Sequence, residues 1–163
     1  MTRSNEARRT AGRRPAIEPG GQALMMSVPA VSTSAARVRT ALGKALDGRV
    51  AERVLTDAQL LASELVTNSI RHAGLASDQS VRVGAEIFDG RLRLEVVNPG
   101  TEGTVAPREP NLQRGGGFGL RVVEALAEAW GVSRVGQTCV WVEMVRWPDG
   151  APTAQLGVTQ RGA

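Results

Sequence analysis

Residues 80–97 place the firmest constraint on what this chain can fold into. Ser80–Phe88 alternates apolar and polar residues through VRVGAEIF, and Arg91–Val97 does so through RLRLEVV. Period-two alternation marks a strand with one face in a core. Between the two runs stands Asp89-Gly90, a two-residue connection that tolerates the positive φ angles of a tight hairpin. The chain therefore contains an antiparallel hairpin, and the remaining elements must pair with it or pack on it.

Leu24–Val28 is a short apolar run ended by Pro29 and reads as an edge strand. A helix is expected from a cap at Ser32 or Ser34 to about Leu46. Val38, Ala41, Leu42, Ala45 and Leu46 fall at helical spacing, and Asp47-Gly48 is the stop. A second helix is expected from a cap at Thr56 or Asp57 to about Ala73, ended by Gly74. Its apolar row is Ala58, Leu61 and Leu65, widened by Leu60, Val66 and Ile70. Residues 98–117 hold three prolines and five glycines, a length and composition usual for a functional lid or a disordered insert. A helix at about Leu120–Trp130 follows, then strands at Val132–Val135 and Thr138–Arg146 about a turn at Gly136-Gln137.

This order of elements predicts an α+β fold. It is a two-layer α/β sandwich whose mixed, mostly antiparallel sheet carries its helices on one face. A doubly wound parallel sheet would need strands and helices to alternate throughout. Residues 23–147 form the expected domain. Residues 1–22 are Arg-rich and broken by Pro15, Pro19 and Gly20-Gly21, and they read as a disordered tail. Residues 148–163 read as a flexible C-terminal tail.

Residues 1–14 hold five arginines and one glutamate, which accounts for the entire net charge of +4. The body of the chain is formally neutral and has two Phe and no Tyr, a poor composition for a nucleic-acid surface. The single cysteine, Cys139, excludes an internal disulfide, and in TCVWVEMV it reads as a small core residue. No apolar run approaches the length of a membrane span, and no apolar stretch follows the N-terminal arginines. A cytoplasmic protein without membrane contact is expected.

The segment ELVTNSIRHAG (64–74) carries Glu64, Asn68 and His72 four residues apart, on one stripe beside the apolar face. A carboxylate next to an amide can orient a water or a hydroxyl, while the amide oxygen takes Mg²⁺. His72, near the helix end, suits the negative end of the helix dipole. Taken alone, Glu64 and Asn68 also suit exposed positions on a surface helix. GGGFGL (115–120) enters a helix, and glycines there bare amide N–H groups at the positive end of the dipole. Taken alone they also suit a plain turn. No Gly-Lys-Ser/Thr follows, and no strand leads directly in, so neither a P-loop nor a dinucleotide fingerprint is present. One His and no nucleophile-elbow Ser disfavour a hydrolase triad, and one His with one Cys disfavours zinc. A base, a hard-metal ligand and a phosphate-cradling turn together suit phosphoryl transfer.

The succession ELVTNSIRHAG, VVNPG, RGGGFGLRVVEALAEAWGV and GQTCVWVEM resembles the GHKL ATPase superfamily, and within it the small bacterial anti-sigma-factor serine/threonine kinases. The likeness covers roughly residues 24–147. It implies the Bergerat α/β sandwich with ATP and Mg²⁺ as cofactors. It makes Glu64 the general base and Asn68 the Mg²⁺ ligand. It places His72, Asn98, Gly100, Arg114, Gly115, Gly117, Gly119, Leu120 and Thr138 around the nucleotide, with Arg114 toward the γ-phosphate and Thr138 near the adenine. The implied activity is phosphorylation of Ser or Thr on an antagonist (anti-anti-sigma) protein, together with sequestration of a sigma factor. A homodimer is a further implication.

One position departs from the family. Its second motif is D-x-G-x-G, whose Asp accepts a hydrogen bond from the adenine amino group. Here the run is Asn98-Pro99-Gly100-Thr101-Glu102-Gly103, with Asn98 in place of the acid and the second glycine one residue late. The Asn oxygen still accepts such a bond, without the charge that strengthens it by on the order of 1 kcal/mol. The alternative expectation is therefore a degenerate, non-catalytic partner-binding module on the same fold.

Overall fold

The computed structural model describes residues 21–72, 75–99 and 117–150, with the backbone alone at 72, 117–121, 134 and 135. The hairpin forms between strands β2 (Ser80–Phe88) and β3 (Arg91–Pro99). They pair antiparallel from Arg82 opposite Val97 to Phe88 opposite Arg91. Asp89 and Gly90 have φ of 43° and 71°, the two consecutive left-handed residues of a type I′ turn. Strand β1 (Gln22–Pro29) pairs with β2, and β5 (Gln137–Val145) pairs with β3 and with β4 (Ala129–Val135). The sheet order is β1-β2-β3-β5-β4. All four pairings are antiparallel, so the sheet is not mixed.

Alternation decides which face is covered. Val81, Val83 and Ala85 of β2, Leu92, Leu94 and Val96 of β3, and Val142 and Met144 of β5 join one buried cluster. Helices α1 (Ser34–Leu46) and α2 (Glu52–His72) close that cluster with Val38, Leu42, Leu46, Leu61, Leu65 and Val66. Each fully buried Leu or Val contributes roughly 1.5–3 kcal/mol relative to exposure. Helix α3 (Gly117–Leu126) packs against α2 and adds Val123. The opposite sheet face bears Arg93, Glu95, Trp141 and Glu143, and no described helix covers it. The fold is thus the expected α+β two-layer sandwich.

Several boundaries differ from expectation. Helix α2 starts at Glu52, a turn before Thr56. The Thr56 hydroxyl donates to the Glu52 carbonyl inside the helix instead of capping it. Burial of Val54 draws in the extra turn. At α1 the N-cap position is Thr33, without a side-chain capping bond. Ser34 is the first helical residue, and its hydroxyl donates to the Pro29 carbonyl at 2.6 Å, tying the helix to the end of β1. Leu60 is not core; it is 44% exposed. Helix α3 ends at Leu126, and Trp130 belongs to β4, opposite Val142. The Glu128 N–H donates to the Glu143 carbonyl, so strand pairing takes the chain over before Trp130. Cys139 is half-buried on the sheet face turned away from the helices, because its neighbours Thr138 and Val140 take the inward positions. Residues 1–20 and 151–163, most of the two expected tails, lie outside the described residues.

Candidate functional site

The topology brings the ends of several elements to one end of the sandwich. Helix α2 ends at His72, and β2 begins close behind it at Ser80. The start of β2 pairs with the end of β3, Arg82 opposite Val97. The start of β5 also lies there, with Thr138 opposite Asn98 and Gln137 opposite Pro99. Strand β4 runs from Ala129 opposite Glu143 to Val135 opposite Gln137. Helix α3 therefore finishes at the far end, close before Ala129.

Asn98 terminates the inward row of β3 after Leu92, Leu94 and Val96, and is only 7% exposed. Among the described residues none hydrogen-bonds its side chain. Thr138, directly opposite, is half-buried on the same face. Cross-strand partners of this kind hold their Cβ atoms about 5 Å apart. A side-chain amide and a neighbouring hydroxyl thus stand at the mouth of the core.

On α2, Glu64 and Asn68 are half-buried, flanked by the buried Ser63, Leu65, Val66 and Ser69. Their fourfold spacing puts them on one stripe at the rim of the core. Neither has a side-chain partner among the described residues. Ser63 is already engaged, donating to the Gln59 carbonyl at 2.7 Å. His72 is the last residue of α2. Gly117, Gly119 and Leu120 form the first turn of α3, so the glycines lie inside the helix instead of in the preceding loop. The first four N–H groups of a helix lack intrahelical partners, which makes this turn a suitable anion cradle. Gly100, Arg114 and Gly115 lie outside the described residues.

One contact near the site escaped sequence reasoning. Arg82 of β2 donates through Nη2 to Oε1 of Gln137 on β5. The bond crosses the end of β3 on the face opposite Asn98 and ties down the strand that carries it. The signal lay in the register: once Val97 pairs with Arg82 and Pro99 with Gln137, the two side chains flank β3. Among the described residues no group of three or more His, Cys, Asp or Glu can hold a metal ion. No described helix is long and apolar enough to cross a membrane.

The family described as the histidine kinase-like ATPase domain matches residues 28–146, and the chain belongs to that family, within the GHKL-type ATPases. No curated protein matches the chain. Membership implies ATP binding, and the residues present fit that nucleotide. A side-chain amide at the end of the inward row of β3 suits a purine edge, a helix N-terminus suits phosphate, and an amide oxygen suits a hard cation.

Proposed function

We propose that the chain is an ATP-dependent protein serine/threonine kinase that regulates a sigma factor. The observation that supports this best is the Asn98–Thr138 pair at the end of the sheet, together with the half-buried Glu64–Asn68 stripe of α2, the helix that packs on β3 and on α3. ATP with Mg²⁺ would supply the γ-phosphoryl group. The Glu64 carboxylate would take the proton of an attacking serine or threonine hydroxyl. The Asn68 side-chain oxygen would ligate Mg²⁺. With no acidic cluster among the described residues, the remaining ligands would be phosphate oxygens and water. The amides of the α3 first turn would hold phosphate, and Asn98 with Thr138 would meet the base. His72, Gly100, Arg114 and Gly115 complete the proposed nucleotide set.

The acceptor would be a small anti-anti-sigma protein. In its unphosphorylated state it competes with the sigma factor for this chain, and its phosphorylation frees the chain to hold sigma inactive. Asn98 in place of an acid favours a second reading, a partner-binding module whose nucleotide site has decayed. Calorimetric titration with ATP, with and without Mg²⁺, separates the two. Micromolar-range binding that Asn68→Ala weakens only when Mg²⁺ is present supports the kinase. No binding at millimolar ATP supports the module. Transfer of labelled phosphate to an acceptor that persists in Glu64→Ala would remove that residue from the role of base.

A further inference from the structure

We propose that Asn98 makes the base pocket permissive at the purine 6-position, so that 6-oxo purine nucleoside triphosphates bind alongside ATP. The inference rests on the ATP-site reading and deepens it by naming the ligand class.

A carboxamide carries an acceptor oxygen and a donor nitrogen, exchanged by a half-turn about its terminal torsion. Facing adenine, Oδ1 accepts from the 6-amino group while Nδ2 donates to N1. Facing a 6-oxo purine, Nδ2 donates to O6 while Oδ1 accepts from N1–H. Both pairings use both atoms and leave none unpaired. A carboxylate at this position only accepts, so it would set an oxygen against O6.

The described surroundings leave either orientation open. No described residue hydrogen-bonds the Asn98 side chain and so fixes its direction. The directly opposite residue is Thr138, whose hydroxyl also donates or accepts as required. The charged side chains of the same strand, Arg93 and Glu95, engage each other on the opposite sheet face.

The test is equilibrium titration of the full chain with ATP and with inosine triphosphate, which differs at the 6-position without adding a 2-amino group. Both are run with Mg²⁺ on the wild type, Asn98→Asp and Asn98→Ala. The wild type should bind the two nucleotides within about tenfold of each other, and Asn98→Asp should shift the ratio at least about tenfold toward ATP. Asn98→Ala, which removes both bonds, should weaken the two nucleotides alike and keep the ratio. A wild-type preference for ATP beyond tenfold overturns the proposal, as does an Asn98→Ala variant that changes the ratio. Binding of ATP alone overturns only this inference; binding of neither nucleotide overturns the ATP site itself and this inference with it.

Discussion

The guanidinium of Arg93 lies 4.3 Å from the ring centre of Trp141, and its edge is held by Glu95 at 2.9 Å and Glu143 at 2.8 Å. This group sits on the sheet face that no described helix covers. Arg93 is nonetheless 4% and Trp141 7% exposed, because the side chains lie flat across three strands and cover one another. The ion pairs and the stacked ring take the place that a second helical layer would fill.

Arg93→Ala removes the shared partner of two largely buried carboxylates. It should destabilise the fold by on the order of 3 kcal/mol, read from the midpoint of urea unfolding. Arg93→Lys keeps the charge but loses the planar fork and the stacking, so it should fall between wild type and Ala. Equal loss in both variants would mean that geometry, not charge, holds the face.

Trp141 also covers Gly131 on β4. A Cβ built at residue 131 would come within 2.7 Å of the indole, closer than real atoms approach. Gly131→Ala should cost about 1–3 kcal/mol through displacement of the ring, with a matching fall in thermal midpoint. Because Arg93 leans on that ring, the double variant Gly131→Ala/Arg93→Ala should lose less than the sum of the two single changes.

Leu60 and Leu61 are adjacent in sequence and opposite in consequence. Leu61 is fully buried and Leu60 is 44% exposed. Leu61→Ala should destabilise by about 3 kcal/mol, whereas Leu60→Ala should stay within about 0.5 kcal/mol of wild type. Denaturant unfolding of both variants checks the orientation of α2, and with it the placing of Glu64 and Asn68 at the rim.

Arg82 and Gln137 bridge β2 and β5 across the end of β3. Arg82→Ala should change global stability by no more than about 1 kcal/mol, since its side chain is exposed. It should weaken ATP binding by a similar amount, because Asn98 sits on the strand end it ties down. Gln137→Ala should behave alike, and the double variant should be no worse than either single one. Additive losses would show that the two residues act separately.

Much of this arrangement was legible in the sequence, for identifiable reasons. Strict alternation through Ser80–Val97 about Asp89-Gly90 fixed the hairpin, because a one-residue slip would turn every apolar side chain outward. Glu64 and Asn68 could be placed on one stripe because helical spacing is rigid. Trp130 could not be assigned from local pattern: its residue type suits helix and strand alike, and the deciding bond, Glu128 to Glu143, is long-range. Leu60 fits the apolar row by residue type and is excluded only by where the sheet lies. The inward direction of Asn98 was implicit in the alternation of β3, but its pairing with Thr138 needed the β3–β5 register. Arg93, a charged residue in an alternating strand, reads as solvated until Glu95, Glu143 and Trp141 are seen around it.

The β3–β5 pairing also bears on how the chain reaches its native state. Hairpins β2–β3 and β4–β5 close over tight turns and can form locally, but Asn98 meets Thr138 only when these two units dock, with α3 between them in sequence. Strand β1 joins β2 across both α1 and α2. Pairings between segments so distant along the chain are slow to close, since the loop entropy is lost before the contact is made. The Asn98–Thr138 end of the sheet is complete only once the two hairpins have docked, so chains in which they are undocked have no complete pocket to offer a nucleotide. A ligand that binds there recognises the finished fold alone, so it draws the folding equilibrium toward completion in proportion to its concentration.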